Sequence, residues 1–144
     1  LAKEGHTQWN PDLIYFNNRE VKPTTGYYVQ KLYGQNAGNE YLPSKIVLDN
    51  KDDKVRKRFA SSIVRDSVSG DVIVKLVNLL PVEVNTNVDL SGIGAVQPSA
   101  KRTVLTGKPT DTPLPVEDRI QIAEKFDCNL PAYSFTVIRI QKAN

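Results

Sequence analysis

The sequence predicts a mainly β protein, an antiparallel, jelly-roll-like β-sandwich preceded by a short strand-helix appendage. Three observations carry this prediction. After about residue 41, apolar residues recur in short runs of strand length, separated by Gly, Pro, Asn and Ser, as in a sandwich. The run from Asp71 to Leu80 is apolar on both faces, with Val72, Val74 and Leu76 on one and Ile73 and Val77 on the other, which suits a central strand. The first forty residues depart from this pattern, with one apolar strand at Leu13–Phe16 and one helix after Thr24 or Thr25.

Taken in order, Leu1 to Glu4 reads as the tail of a helix, with Gly5 at its stop, and His6 to Asn10 as a connection. Leu13 to Phe16 is a continuous apolar run, typical of a strand buried on both faces. Pro23 supplies a turn, and Thr24 or Thr25 an N-cap. Tyr28, Lys31 and Leu32, and Val29, Leu32 and Tyr33, give the following helix an apolar stripe that Gly34 and Gly38 end. A lone strand and helix cannot bury their own apolar surface, so the appendage implies a missing partner, and it could itself fold onto the sandwich or pair with another copy.

Beyond it, Ile46–Leu48 reads as a short strand, and Phe59 to Val68 as another before a turn at Ser69-Gly70. Pro81 ends the central strand. Val82, Val84, Thr86, Val88 and Leu90 alternate with Glu83, Asn85, Asn87 and Asp89, as in a sheet with one wet face. Ser91 to Pro98 reads as a loop and Lys101 to Thr106 as a strand. Gly107 to Pro115 reads as a long surface loop, and Ile120 and Ile122 as the start of another strand. Tyr133 to Ile140 is the last, with Tyr133, Phe135, Val137 and Ile140 as anchors.

A length of 144 residues leaves room for one domain, or for a small domain with an appendage. A 40% hydrophobic and 24% charged composition is that of a globular chain rather than a disordered one. No run approaches the ~20 apolar residues of a membrane-spanning helix. No basic segment followed by an apolar stretch opens the chain, and the absence of any Met fits excision from something longer. The net charge of +3 gathers much of its basic side in Lys51–Arg58, where Asp52 and Asp53 interrupt the run and no aromatic is interleaved to stack bases. A solvated loop and strand start therefore outweighs a nucleic-acid footprint.

The residues that carry chemistry are sparse. Cys128 is alone, which excludes an internal disulfide and a thiolate metal cage, and it reads as a structural thiol just before the last strand. His6 is the single His and has no nucleophile motif near it. Paired-carboxylate catalysis needs two groups held ~5–10 Å apart in a cleft. Glu83 and Asp89, Glu117 and Asp118, and Asp52 and Asp53 lie instead in polar, solvated contexts. No metal site, cofactor or catalytic residue is expected. The aromatics Trp9, Tyr15, Tyr27, Tyr28, Tyr33 and Tyr41 concentrate in the appendage, either as a carbohydrate platform or, as their helical spacing favours, as glue to neighbouring domains. Residues 42–144 hold only Phe59, Phe126, Tyr133 and Phe135 as aromatics, which is thin for a sugar platform.

Trp9-Asn10-Pro11-Asp12-Leu13-Ile14-Tyr15-Phe16-Asn17, followed by Tyr28-Val29-Gln30-Lys31-Leu32, resembles the end of the catalytic barrel in α-L-arabinofuranosidases of glycoside hydrolase family 51. Thr103–Thr106 and Leu130–Val137 resemble later strands of that family's C-terminal sandwich. The resemblance covers essentially the whole chain. It implies that residues 1–40 are the last strand and helix of a truncated (β/α)8 barrel, and 41–144 the C-terminal sandwich. It puts both catalytic glutamates on earlier strands, so none of the glutamates here inherits either role. Phe16, Asn17 and Asn18 would then be the residues nearest the sugar in the intact enzyme, because such barrels bind at the carboxyl ends of their strands.

The expected parent is a glycosidase, secreted or periplasmic, that releases terminal arabinofuranosyl units from arabinan or arabinoxylan with retention. The partners expected are the missing barrel and, through it, the polysaccharide, with neither nucleic acid nor membrane involved. A carbohydrate-binding module or a protein-interaction sandwich without hydrolase activity is the alternative.

Overall fold

The computed structural model describes residues 2–3, 5–6, 12–108 and 111–143. Among these lie eleven strands and two helices. The framework is a six-stranded antiparallel sheet in the order β4(Glu40–Leu42), β5(Phe59–Arg65), β6(Val72–Asn78), β11(Ser134–Lys142), β8(Val96–Thr106), β9(Val116–Gln121). β11 is central, pairing Val137 with Lys75 of β6 on one side and with Thr103 of β8 on the other. A second antiparallel sheet of β7(Val84–Asp89) and β10(Lys125–Leu130) packs across it. The core between the layers joins Val72, Val74, Leu76, Ala100, Ile138 and Ile140 of the large sheet to Val88, Leu90, Phe126, Cys128 and Leu130 of the small one. The fold is therefore mainly β and sandwich-like, as its period-2 patterns predict.

The opposite face of the large sheet is also apolar, because β6 and β11 carry apolar residues at consecutive positions. Helix α1(Thr25–Gln35) covers it: Leu32 is buried against Ile73, Leu105, Phe135 and Val137, with Tyr28 and Val29 beside it. The helical stripe of the appendage thus has a partner within this chain. Its amino end is tied down by the Thr25 hydroxyl, which donates to the carbonyls of Lys108 and Asp111, both at 3.2 Å.

The N-terminal segment forms a separate three-stranded sheet, with β1(Ala2–Lys3) parallel to β2(Ile14–Phe16), and β3(Val21–Pro23) antiparallel to β2. Ala2 and Lys3 are therefore strand, not helix tail, since they pair with Tyr15 and Phe16. β2 is only half-buried. The Trp9-Asn10-Pro11 part of the motif lies outside the described residues.

Several local expectations are corrected. Thr24 does occupy the N-cap position of α1, its carbonyl accepting from the Tyr28 N–H at 3.2 Å, but its hydroxyl donates backward, to the carbonyls of Asp12 at 3.0 Å and Leu13 at 2.9 Å, and so makes no side-chain cap. α1 continues through Gly34 to Gln35, and the Asn36 amide donates to the Leu32 carbonyl at 2.9 Å. Gly38 does mark the exit: its φ is +64°, and a β-carbon there would meet Val64 Cγ2 at 2.7 Å. Ile46–Leu48 is not a strand, because no neighbouring strand pairs with it. Lys51–Arg58 contains a helical turn, α2(Asp53–Arg56), which the Asp52 carboxylate caps by accepting from the Lys54 N–H at 2.8 Å. β8 starts at Val96, within the predicted loop. Cys128 belongs to β10, a strand that the sequence reading passed over. Ile122 lies just past β9 and is buried in the core. Tyr133 is not an anchor: it is 38% exposed and turns the chain with φ of +49°, after which Phe135 and Val137 face α1 and Ile138 and Ile140 face the other sheet.

Candidate functional site

Among the described residues no group of three His, Cys, Asp or Glu stands close enough to hold a metal ion, and no helix is long and apolar enough to cross a membrane. Each carboxylate weighed for chemistry is tied to a structural partner or open to water. Asp118 takes a two-point bond from Arg102, at 2.9 and 2.5 Å, and that guanidinium holds its carboxyl below the usual range. Lys101 lies 2.8 Å from Glu117 and lowers it likewise. Glu83 is exposed. Cys128 is buried, and burial pushes its thiol up. That leaves it a packing residue.

Asp89 is the most shifted of these groups. The Ser91 hydroxyl and backbone N–H, and then the Lys125 ammonium at 2.9 Å, hold its carboxyl at about 2. A depressed carboxylate stabilises the fold above its unfolded-state value near 3.8 and loses that contribution as pH falls through about 2. Asp89→Asn is therefore expected to flatten the stability loss between about pH 4 and pH 2 in acid-denaturation curves. An unchanged slope would show that the bonds of Asp89 do not couple to folding.

The three residues expected nearest a sugar sit together at the end of β2. Phe16 is half-buried and pairs with Lys3 on one side and Val21 on the other. Asn17 shapes the hairpin to β3: its side-chain oxygen accepts from the backbone N–H of Arg19 at 2.9 Å and of Glu20 at 3.0 Å. Asn18 is exposed at the tip. The arrangement can present a polar loop, with Asn17 as its former.

Between the sheets lies an open cavity of about 900 Å³, lined by Leu42, Ile63, Val74 and Leu76 on one side and Val84 and Val88 on the other. Phe59 is its single aromatic, so it offers no stacking platform for sugar rings.

The helix-covered face carries features that the sequence reading missed. Tyr33 of α1 stacks on Phe135 with ring centres 4.7 Å apart and planes 11° from parallel. The Lys75 ammonium lies 5.5 Å from the centre of the Tyr33 ring. The signal was available as a lone Lys inside the apolar run Val72–Val77, on the same face as Ile73 and Val77.

Three relatives bear on this geometry. An arabinose-bound GH51 α-L-arabinofuranosidase superposes over 95% of this chain with a TM-score of 0.81 and 28% identity, the match covering 22% of that enzyme. The α-L-arabinofuranosidase of Thermotoga maritima, in its arabinose complex, superposes over 89% of the chain and 31% of its own with a TM-score of 0.73 and 12% identity, a likeness of fold. The extracellular exo-α-L-arabinofuranosidase of Streptomyces chartreusis is 49% identical over 45 residues, 31% of this chain and 6% of its own. The chain thus spans less than a third of each. The model of the α-L-arabinofuranosidase C-terminal domain matches residues 6–136, nearly the whole chain, and with the sandwich and helix described above it shows that this chain belongs to the α-L-arabinofuranosidase C-terminal domain family.

Proposed function

We propose that this chain acts as a non-catalytic scaffold, the C-terminal sandwich that buttresses the catalytic barrel of a retaining α-L-arabinofuranosidase. In this reading the parent releases terminal non-reducing α-L-arabinofuranosyl residues from arabinan or arabinoxylan, by a two-step displacement that uses two glutamates of the barrel. Residues 1–40 are the last strand and helix of that barrel, and 41–144 the sandwich. The observation that carries the reading is α1, whose apolar stripe is buried on the large sheet and joins the N-terminal strands to the sandwich. The parallel β1–β2 pairing supports it, since parallel pairs are the signature of β/α units. Phe16, Asn17 and Asn18 follow the carboxyl end of β2, the end at which barrels bind substrate, which supports placing them nearest the sugar. The extracellular relative supports a secreted or periplasmic parent.

The division of labour has a direct test. The 144-residue chain is expected to release no arabinose from an aryl α-L-arabinofuranoside, whereas the polypeptide that includes the barrel releases it with retained anomeric configuration, read by NMR. Turnover by the short chain, or an inert long polypeptide, would overturn the proposal.

A further inference from the structure

The connection from β4 to β5 concentrates positive charge. Residues 45–58 hold six cations, Lys45, Lys51, Lys54, Arg56, Lys57 and Arg58, against three carboxylates, Asp49, Asp52 and Asp53. Elsewhere the chain holds thirteen of each sign, so this segment carries the whole net charge of +3. All six cations are exposed. Many cations of the sheets are paired: Arg65 with Glu40 at 3.4 Å, Lys101 with Glu117 at 2.8 Å, Lys125 with Asp89 at 2.9 Å and Arg139 with Asp71 at 2.7 Å. Among the described residues none of the six has a carboxylate within ion-pair distance. The segment is nonetheless built. The Asn50 side-chain oxygen accepts from the Asp52 N–H at 2.9 Å, and the Asp52 carboxylate caps α2. At the other end the Arg58 carbonyl accepts from the Leu79 N–H at 2.8 Å, which ties the turn to the end of β6. Val55 is half-buried and lines the open cavity, and Lys54, Arg56, Lys57 and Arg58 are left toward water.

We propose that this capped turn is an electrostatic docking site for an acidic polysaccharide, one whose backbone carries repeated uronate carboxylates. A cluster of one sign raises the local concentration of a polyanion and speeds its encounter. Arg56 and Arg58 offer planar forks that take a carboxylate at two points, and the lysines act as mobile point charges along a chain of such groups. A nucleic acid is the competing polyanion. Its single strands are held by stacking bases on aromatic faces, and residues 45–58 contain no aromatic. Phe59, the next residue, lines the cavity instead. The proposal rests on the functional reading above and deepens it. Arabinofuranosyl units are neutral side groups, which give a cationic patch nothing to hold. The anion that a polysaccharide backbone can offer is the uronate carboxylate. A site on the sandwich would hold such a backbone while the barrel acts on its neutral side groups.

Titration calorimetry of the 144-residue chain with polygalacturonate, neutral arabinan, single-stranded DNA and anionic phospholipid vesicles tests the proposal. Polygalacturonate is expected to bind at low ionic strength and to be released at about 1 M salt, where the screening length falls to about 3 Å. Neutral arabinan is expected not to bind. The triple variant Lys54→Gln, Arg56→Gln, Lys57→Gln is expected to weaken binding to polygalacturonate about tenfold. Glutamine keeps the helix propensity and all three side chains are exposed, so the melting temperature is expected to stay unchanged. A second triple, Lys108→Gln, Arg119→Gln, Lys142→Gln, removes the same charge from exposed positions elsewhere and is expected to bind like the unaltered chain. Equal weakening by the two triples would assign binding to net charge and overturn the site, as would no binding at all. DNA or vesicles bound as tightly as polygalacturonate would overturn the choice of partner. Arabinose release by the polypeptide that carries the barrel reports separately on the functional reading, so the two can fail independently.

Discussion

Replacing Asn78 with alanine is expected to cost about 3–4 kcal/mol, a large share of the roughly 5–15 kcal/mol that holds a domain folded. Asn78 is the last residue of β6 and is fully buried. Its amide nitrogen shares two N–H donors among the carbonyls of Val82 at 2.9 Å, Leu130 at 3.2 Å and Pro131 at 2.9 Å, and its oxygen accepts from the Leu80 N–H at 3.0 Å. One side chain thereby ties the end of the large sheet to the start of β7 and to the turn between β10 and β11. Alanine leaves several backbone groups without a partner in a place that water reaches poorly, and each such group costs about 1–3 kcal/mol. Urea unfolding followed by far-UV circular dichroism would measure the loss. Asn129→Ala, on the exposed side of β10, is expected to change stability by less than about 0.5 kcal/mol. Equal effects at the two positions would show that the buried amide does not hold the layers together.

Ile138→Ala is expected to be comparably damaging, at about 3 kcal/mol. Ile138 is fully buried in the central strand and lies in register with Val74 of β6 and Arg102 of β8. Its side chain belongs to the core that contains Leu130 and Phe126 from the facing sheet. The cost combines the lost transfer energy of three carbons with the cavity that remains, because strands fixed by hydrogen bonds on both sides cannot close in to fill it. A fall in the melting temperature of about 10 °C in calorimetry is the expected reading. A loss below about 1 kcal/mol would mean that the layers relax around the site, and that the open cavity beside β5 and β7 already makes the core compliant.

Much of the sandwich was legible because strand burial leaves a local trace. β6 was recognisable as two-faced from consecutive apolar residues, and β7 from strict alternation. β10 alternates just as regularly, with Phe126, Cys128 and Leu130 buried and Lys125, Asp127 and Asn129 exposed. Asp and Asn are poor strand residues in isolation, and pairing with β7 overrides that preference. Ile46–Leu48 is the converse: a run of good strand residues that finds no edge to pair with. The candidate site was less legible. The polar end of β2 was visible as Phe16-Asn17-Asn18, but the turn-forming role of Asn17 depends on hydrogen bonds to Arg19 and Glu20. Lys75 was visible as a charge within an apolar run, yet its isolation is a statement about every carboxylate around it.

The amino-acid sequence by itself determined the mainly β class, the strand-helix appendage and the likeness to the end of an arabinofuranosidase. These follow from periodicity and from short motifs, which are local properties of the chain. Only the tertiary structure decided that α1 closes over the large sheet, that Tyr33 stacks on Phe135, and that Lys75 lies beneath with no counter-charge among the described residues. These contacts join residues separated by tens to a hundred positions. They arise because both faces of β6 and β11 must be covered at once, a requirement that no single stretch of sequence states.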